Sequence, residues 1–370
     1  MNIALTRSHS RIVAGRPRAT LFIWLFNLGL LMSSEWFHHT LFKFSTLLGP
    51  RGAHLDDLGG MYRWYVGFNL VTLRMISFSL DYHWALGKNG GEARKGGERT
   101  VDEYELRVIT SRPIEEYSLA NYFAYLFYIP LHIAGPIISC NAFLSQLSRP
   151  QTSYPPRALA FYALRVAFGI FLMEFITHIF YCFGVAHAGA FHGLSTSVIG
   201  LLGYYSLHLI WLKFYIVWRF FRLVALLDGV ETIENMNRCM SNNYNLQGFW
   251  RSWHRSFNRW LVRYLFVPLG GSRHRFRNTL FVFTFTALWH DLSLSLLMWG
   301  WLLAVFIVPE TLLSIFISRP AMKRTCTCAL TLVSLTMMCS AARGVVLPPH
   351  LRAGRRCKHL FHDGRQPYWL

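Results

Sequence analysis

The chain has 370 residues, 53% of them hydrophobic and only 15% charged, well below the roughly 25% charged share of soluble domains. With a mean hydropathy of +0.28, that excludes an ordinary soluble domain and indicates an integral membrane protein. The net charge of +19 lies in short basic clusters between apolar runs, which suits loops under the positive-inside rule and anionic lipid or phosphate, not a stripe that tracks nucleic acid.

Residues 1–20 carry Arg7, Arg11, Arg16 and Arg18 and no acid, so they read as a basic segment before a first membrane helix over Leu21–Met32. The stretch Tyr62–Leu86 is apolar but interrupted by Arg63, Arg74 and Asp81. A charge in mid-span is expensive against lipid, so Arg74 is expected to face a bundle interior, or else to snorkel from a tilted helix. Residues 88–117 are rich in glycine and mixed charge and predict a soluble loop. Leu119–Ser139 is charge-free and long enough to span, with a break expected at Pro130 and at Ala134-Gly135-Pro136.

Pro155-Pro156 marks a turn, and Ala158–Phe183 predicts a further span. Arg165 and Glu174 lie nine apart within it, on different faces, each expected to pair with a neighbouring helix. Leu194–Trp218 is apolar apart from Lys213 and ends at a basic edge, Arg219 and Arg222. The connector 228–246 is polar and rich in asparagine. Thr279–Val308 is too long for one untilted span and predicts a break near His290-Asp291. A last short membrane helix is expected within 311–342, over Thr325–Ala342, and a basic disordered tail over 343–370. The whole is therefore expected to be an all-α, polytopic helical bundle of seven to nine spans, with the membrane domain over 21–310.

The most informative stretch is Gln247–Arg277. At helical spacing Arg251, Arg255, Arg259 and Arg263 recur every fourth position and form one basic ridge. Phe249, Trp253, Phe257, Trp260 and Tyr264 make an aromatic face, with His254 and Asn258 on the seam between the two. A single helix ending near Phe266, before Pro268 and Gly270-Gly271, is predicted. It is either an interfacial amphipathic helix without chemistry or a cationic site for phosphates.

His290 is the ionisable residue set deepest in apolar sequence. Burial would keep its imidazole neutral, as a general base requires, although a satisfied core histidine fits the same position. Asp291 points about 100° away on a helix and is unsuited to orient that ring. No G-x-S-x-G elbow, Walker loop or H-E-x-x-H occurs, and His187 and His192 read as loop residues. Seven scattered cysteines without a C-x-x-C pair give neither a disulfide framework nor a structural zinc.

FWRSWHRSFNRWLVRYLFVPLGG and ALWHD together resemble the two signature blocks of the membrane-bound O-acyltransferase superfamily. MYRWYVGFNLVTLRMISFSLDYHWAL, EEYSLANYFAYLFYIPLHIAGPIISCNAF and the WGWL after WHD are similar to its glycerol uptake protein branch, related to Hedgehog acyltransferase. The likeness covers roughly 56–310; residues 311–370 depart from the family's further membrane helices, and the N-terminal region matches only loosely. The resemblance implies that His290 is the general base and His254 the assisting polar residue, with Asn258 positioning substrate. It implies a long-chain acyl-CoA donor, whose phosphates the ridge Arg251, Arg255, Arg259 and Arg263 would meet, with Arg273, Arg275 and Arg277 nearby. A lipid acceptor, the lyso form of a glycosylphosphatidylinositol anchor, follows for that branch, in the endoplasmic reticulum or the plasma membrane. Cys239, fifteen residues before His254, stands at the spacing of a possible haem ligand in the Hedgehog acyltransferase branch. The alternatives are a polyol transporter and a protein palmitoyltransferase. Transporters commonly carry internal repeats, and none is evident here.

Overall fold

The computed structural model describes residues 2–316 except 17, 41–43, 57–63, 88–101, 189, 191–192 and 244. The expected helix at Thr325–Ala342, the tail 343–370 and residues 88–101 of the expected loop lie outside the described residues; the rest of that loop, 102–117, holds a helix over Glu103–Ile109. Those described are helical and turn structure, with no strand among them. In chain order the helices are α1 (Asn2–Val13), α2 (Ala19–Thr40), the short α3 (Phe44–Leu48) and α4 (Ala53–Asp56), and α5 (Trp64–Leu86). Next come α6 (Glu103–Ile109), α7 (Leu119–Phe127), α8 (Ile129–Ile133), α9 (Cys140–Ser148), α10 (Pro156–Ile179) and α11 (Cys182–His187). The series ends with α12 (Thr196–Leu227), α13 (Leu246–Ser252), α14 (Arg255–Leu261), α15 (Arg275–His290) and α16 (Leu294–Phe316). Two compact units divide the chain, Met1–Val282 and Phe283–Leu370.

In the first unit α5 is the axis. It packs against α1, α2, α7 and α9, and Phe78 meets Tyr122 at 4.6 Å between ring centroids in an aromatic core with Tyr117, Tyr125 and Phe143. Residues 1–20 are more than a basic flank. Asn2–Val13 is a helix, its Ser10 hydroxyl 2.6 Å from that of Ser79.

The break expected at Pro130 is present, and it explains Arg74. Proline has no N–H to give the carbonyl four residues back, which leaves Leu126 without its helical donor. Arg74 is buried and supplies the bond, its Nη1 donating to Leu126 O at 2.7 Å and Tyr125 O at 3.3 Å. The interior placement is borne out, and Leu119–Ser139 is two short helices and a loop, not one span.

Other expectations change. Pro156 opens α10 as an N1 proline should, but Arg165 is exposed, and Glu174 lies 3.9 Å from His178 of its own helix. Among the described residues neither joins a neighbouring helix through an ion pair, because the faces that carry them are exposed. Arg222 is buried, not part of an open basic edge. Its Nε donates to Thr232 O at 2.8 Å and its Nη2 to Tyr154 Oη at 2.9 Å, fastening the connector back onto α12.

Among the described residues, two helical stretches are long and apolar enough to cross a membrane, Pro156–Ile179 and Leu294–Leu312, with Ala19–Ser34 a shorter apolar one. That is fewer than the seven to nine expected. The reason is internal polarity: α5 holds Arg74 and Asp81, and the Leu119–Ser139 run is interrupted.

In the second unit, the break expected at His290-Asp291 is present, since α15 ends at His290 and α16 begins at Leu294. Gly300 lets α16 approach closely: a Cβ there would stand 3.3 Å from Phe283 O, and Trp301 Nε1 donates to Thr284 Oγ1 at 2.9 Å.

Candidate active site

The expected single helix over Gln247–Phe266 is in fact three pieces. Asn245 caps α13, its Oδ1 accepting from Gly248 N at 2.6 Å; a Cβ on Gly248 would press on that oxygen and make the capping side chain shift. The helix stops at Ser252, and His254 adopts a left-handed conformation, φ 47° and ψ 49°. For a residue with a Cβ that costs about 1–2 kcal/mol, and the connector offsets it. Asn235 is buried there; its carbonyl accepts from Arg255 N at 3.0 Å and its Oδ1 from Ser256 N at 2.9 Å. Those are two of the orphan N–H groups that a restarted helix must satisfy. Ser256 Oγ in turn accepts from Ile137 N at 2.9 Å. After α14 a π-helical turn, Val262–Phe266, leads into the Gly270-Gly271 turn.

The break divides the arginine ridge. Arg251 is exposed on α13, before the break. Beyond it, Arg255 donates to Asn237 Oδ1 at 3.2 Å, Arg259 forms an ion pair with Glu105 of α6, and Arg263 forms one with Asp81 at 2.9 Å while lying over the Trp84 ring at 5.2 Å. Two of the four arginines are thus neutralised by the protein itself. Nearby, Arg275 donates to Gln247 Oε1 at 3.0 Å, Arg277 to Leu269 O at 3.4 Å, and Arg273 is exposed. Asn258 is half-buried, and its N–H donates to His254 O at 3.0 Å. The His254 ring sits 4.5 Å from Trp218 and 5.3 Å from Phe257, between centroids.

Asp81 stands out in the sequence as a charge inside an apolar run, but its partners and its place beside the site do not. Wholly buried, its Oδ1 accepts from Arg263 Nη2 at 2.9 Å. Its Oδ2 accepts from the Tyr264 hydroxyl at 2.9 Å and from Asn141 N at 3.1 Å. Ser77 Oγ donates to Tyr264 Oη at 2.7 Å and accepts from Cys140 N at 3.0 Å. The network ties α5, α9 and the π-helical turn together. A carboxylate inside an apolar run demands a cationic partner, and that was the available signal.

Beside this network lies a cavity of about 990 Å³. Tyr104, Glu105 and Val108 of α6 form one wall, and Arg259, Trp260 and Arg263 form another. His254, Asn258, Arg251 and Arg255 are outside its lining.

His290 belongs to the second unit. It is the last residue of α15, its ring 4.7 Å from Trp289, and it is exposed. The side chain is open to solvent where the chain turns at Asp291, yet protein atoms surround it closely enough to desolvate the ring, so the expected burial holds in part. Cys239 is a half-buried free thiol opening the 3₁₀ turn Met240–Asn242. It is not in the cavity lining, and no cluster of three metal-ligating side chains occurs among the described residues.

Comparison with known proteins agrees with the resemblance and extends it. The profile of the membrane-bound O-acyltransferase (MBOAT) family matches residues 18–347, past both ends of the 56–310 region expected. Membrane-bound O-acyltransferase gup1 of Schizosaccharomyces pombe is 43% identical over 305 residues, 81% of this chain and 52% of that protein. Its Saccharomyces cerevisiae counterpart GUP1 is 40% identical over 304 residues, 80% of this chain and 54% of that one. The mouse protein-cysteine N-palmitoyltransferase HHAT is 26% identical over 209 residues, 54% of this chain and 42% of its own. The chain therefore spans about half the length of the curated relatives it matches. It belongs to the membrane-bound O-acyltransferase family.

Proposed function

We propose that the chain carries the core of an acyltransferase that moves a long-chain acyl group from acyl-CoA to a hydroxyl of a lipid acceptor. The observation that carries the reading is the family match over 18–347, joined to the histidines kept in both signature blocks, His254 and His290. In this reading His290 is the general base. The acceptor hydroxyl attacks the thioester carbon, its proton passes to the imidazole, and coenzyme A leaves as the thiol; the reaction requires no covalent enzyme intermediate. His254 assists, with Asn258 positioning substrate. Donor phosphates would meet Arg251 and Arg255, and Arg259 once its carboxylate partner is displaced; Arg263 is committed to Asp81 and instead shapes the cavity wall. The acceptor proposed is the lyso form of a glycosylphosphatidylinositol anchor, in the endoplasmic reticulum, as the resemblance to the glycerol uptake branch implies.

The test is acyl transfer from labelled palmitoyl-CoA by membranes holding the wild type or His290→Ala. Loss of a positioned general base lowers turnover by about a hundredfold or more, with the protein still present in the membrane. Equal product from both overturns the mechanism. Lipid and peptide acceptors supplied side by side separate an anchor lipid from a protein substrate. Glycerol accumulation measured in the same cells addresses transport.

A further inference from the structure

The two arginines that line the cavity are held in different ways. Arg263 is bound to Asp81, a carboxylate with no exposure at all, and the Tyr264 hydroxyl shares that acceptor. Opening this pair would strand a charge in the interior, so it is a fixed part of the wall. Arg259 is bound to Glu105, and both side chains remain more than a third open to solvent, 38% and 35%. Exposed pairs are weak, equivalent to no more than about a fivefold bias in an equilibrium.

Glu105 occupies an unusual place. Val108 and Ile109 follow it by three and four residues and line the same cavity, so one face of α6 presents all three. Two are apolar and one is a carboxylate, turned toward the single exchangeable guanidinium of the lining. Ile137, Ile233 and Val262 continue the apolar surface. The chamber is thus apolar along one side and polar along the other, with one exchangeable cation that is paired with the protein's own acid. It suits an amphiphile with an apolar tail and an anionic end.

We propose that Glu105 is an internal stand-in for the ligand's phosphate: the donor's anionic end displaces it from Arg259 while the Asp81–Arg263 pair stays closed. The inference rests on the acyl-CoA reading above and adds to it a resting state in which the site is occupied by the chain itself. A guanidinium binds phosphate with two parallel N–H donors, and burial of the ligand's tail adds free energy that the half-exposed Glu105 contact lacks. Docking of the donor would thereby release α6 from α14.

The experiment is equilibrium binding of palmitoyl-CoA to the full chain in lipid nanodiscs, without acceptor. Glu105→Gln is expected to bind about threefold to fivefold tighter than wild type, and Arg259→Gln about tenfold weaker or worse. Glu105→Gln added to Arg259→Gln is expected to give no gain, because the acid then blocks nothing. Arg259→Lys keeps the charge without the fork, and intermediate affinity shows that the weak variant is folded. No tightening in Glu105→Gln, a gain that persists in the Arg259→Gln background, or no binding in any variant each overturns the proposal. The outcome is independent of acyl transfer. If membranes make no acyl product yet the variants keep this order, the reaction falls and the displaced acid stands. If transfer proceeds and Glu105→Gln binds as wild type, the reverse holds.

Discussion

Helices α5 and α10 are nearly equal in length, 23 and 24 residues, and opposite in design. On α5 the polar groups are inside: Thr72, Arg74, Ser77, Ser79 and Asp81 are all buried. On α10 the apolar groups are outside, with Phe161, Leu164, Phe168, Phe171 and Phe175 each more than half exposed. In water that arrangement would fail twice, by dehydrating charges and by wetting phenyl rings. In hydrocarbon it is the favourable one, because lipid solvates the rings and the bundle solvates the charges. The contrast also separates two uses of a helix, α5 to hold groups in place around the cavity and α10 to meet the membrane.

The largest test strikes the polar interior. Asp81→Ala removes the acceptor of Arg263 and Tyr264 and leaves a guanidinium inside with no counter-charge. Removing one partner of a buried pair costs about 3–5 kcal/mol, so loss of folded protein in a thermal unfolding assay is expected. Replacing both partners, Asp81→Leu with Arg263→Met, is expected to lose much less, since no charge is stranded. Equal damage from the two would mean that the pair's worth lies in its packing.

The apolar exterior can be broken next. Phe168 sits mid-way along α10 and is 61% exposed. Phe168→Lys puts a charge where hydrocarbon is expected, at a cost of about 2.5–3.5 kcal/mol for insertion, whereas Phe168→Leu is expected to change little. The measurement is the fraction of chain recovered in the membrane. Full recovery of the lysine variant would place that face of α10 in water and undo the comparison.

What the sequence carried, and what it did not, follows the same division. Composition alone indicates an all-helical membrane protein, and the mid-span position of Arg74 foretells its interior place, because the energetic argument is local. Pro130 and His290-Asp291 mark breaks for the same reason: a missing N–H or a polar step is visible where it stands. The break at Trp253-His254 carries no such mark, since histidine is not a left-handed signal and the caps come from Asn235, nineteen residues away. The partner of Arg263 is 182 positions distant, so the regular ridge at 251, 255, 259 and 263 suggested free cations that the fold has already spent on Asp81 and Glu105. Periodicity reports which face a residue shares, not who waits opposite.

The smallest expected effect concerns the connector that caps α14. Burial pushes the Glu231 carboxyl above its ordinary pKa, against weaker opposing help from the Ser153 hydroxyl and from Arg107 and Arg222. A carboxyl whose folded pKa exceeds its unfolded one binds its proton more tightly in the folded state. Its contribution is present below the unfolded pKa and is lost as pH rises through the folded one. Glu231→Gln removes that loss without disturbing the backbone clamp, in which Glu231 N donates to Gln146 Oε1 at 2.7 Å and Glu231 O accepts from Gln146 Nε2 at 3.2 Å. The variant is therefore expected to unfold about 1–2 °C higher than wild type near neutral pH and to lose that advantage near pH 4. A variant less stable at neutral pH would show that the ionised carboxylate is held by its neighbours, and that the connector tolerates buried charge as α5 does.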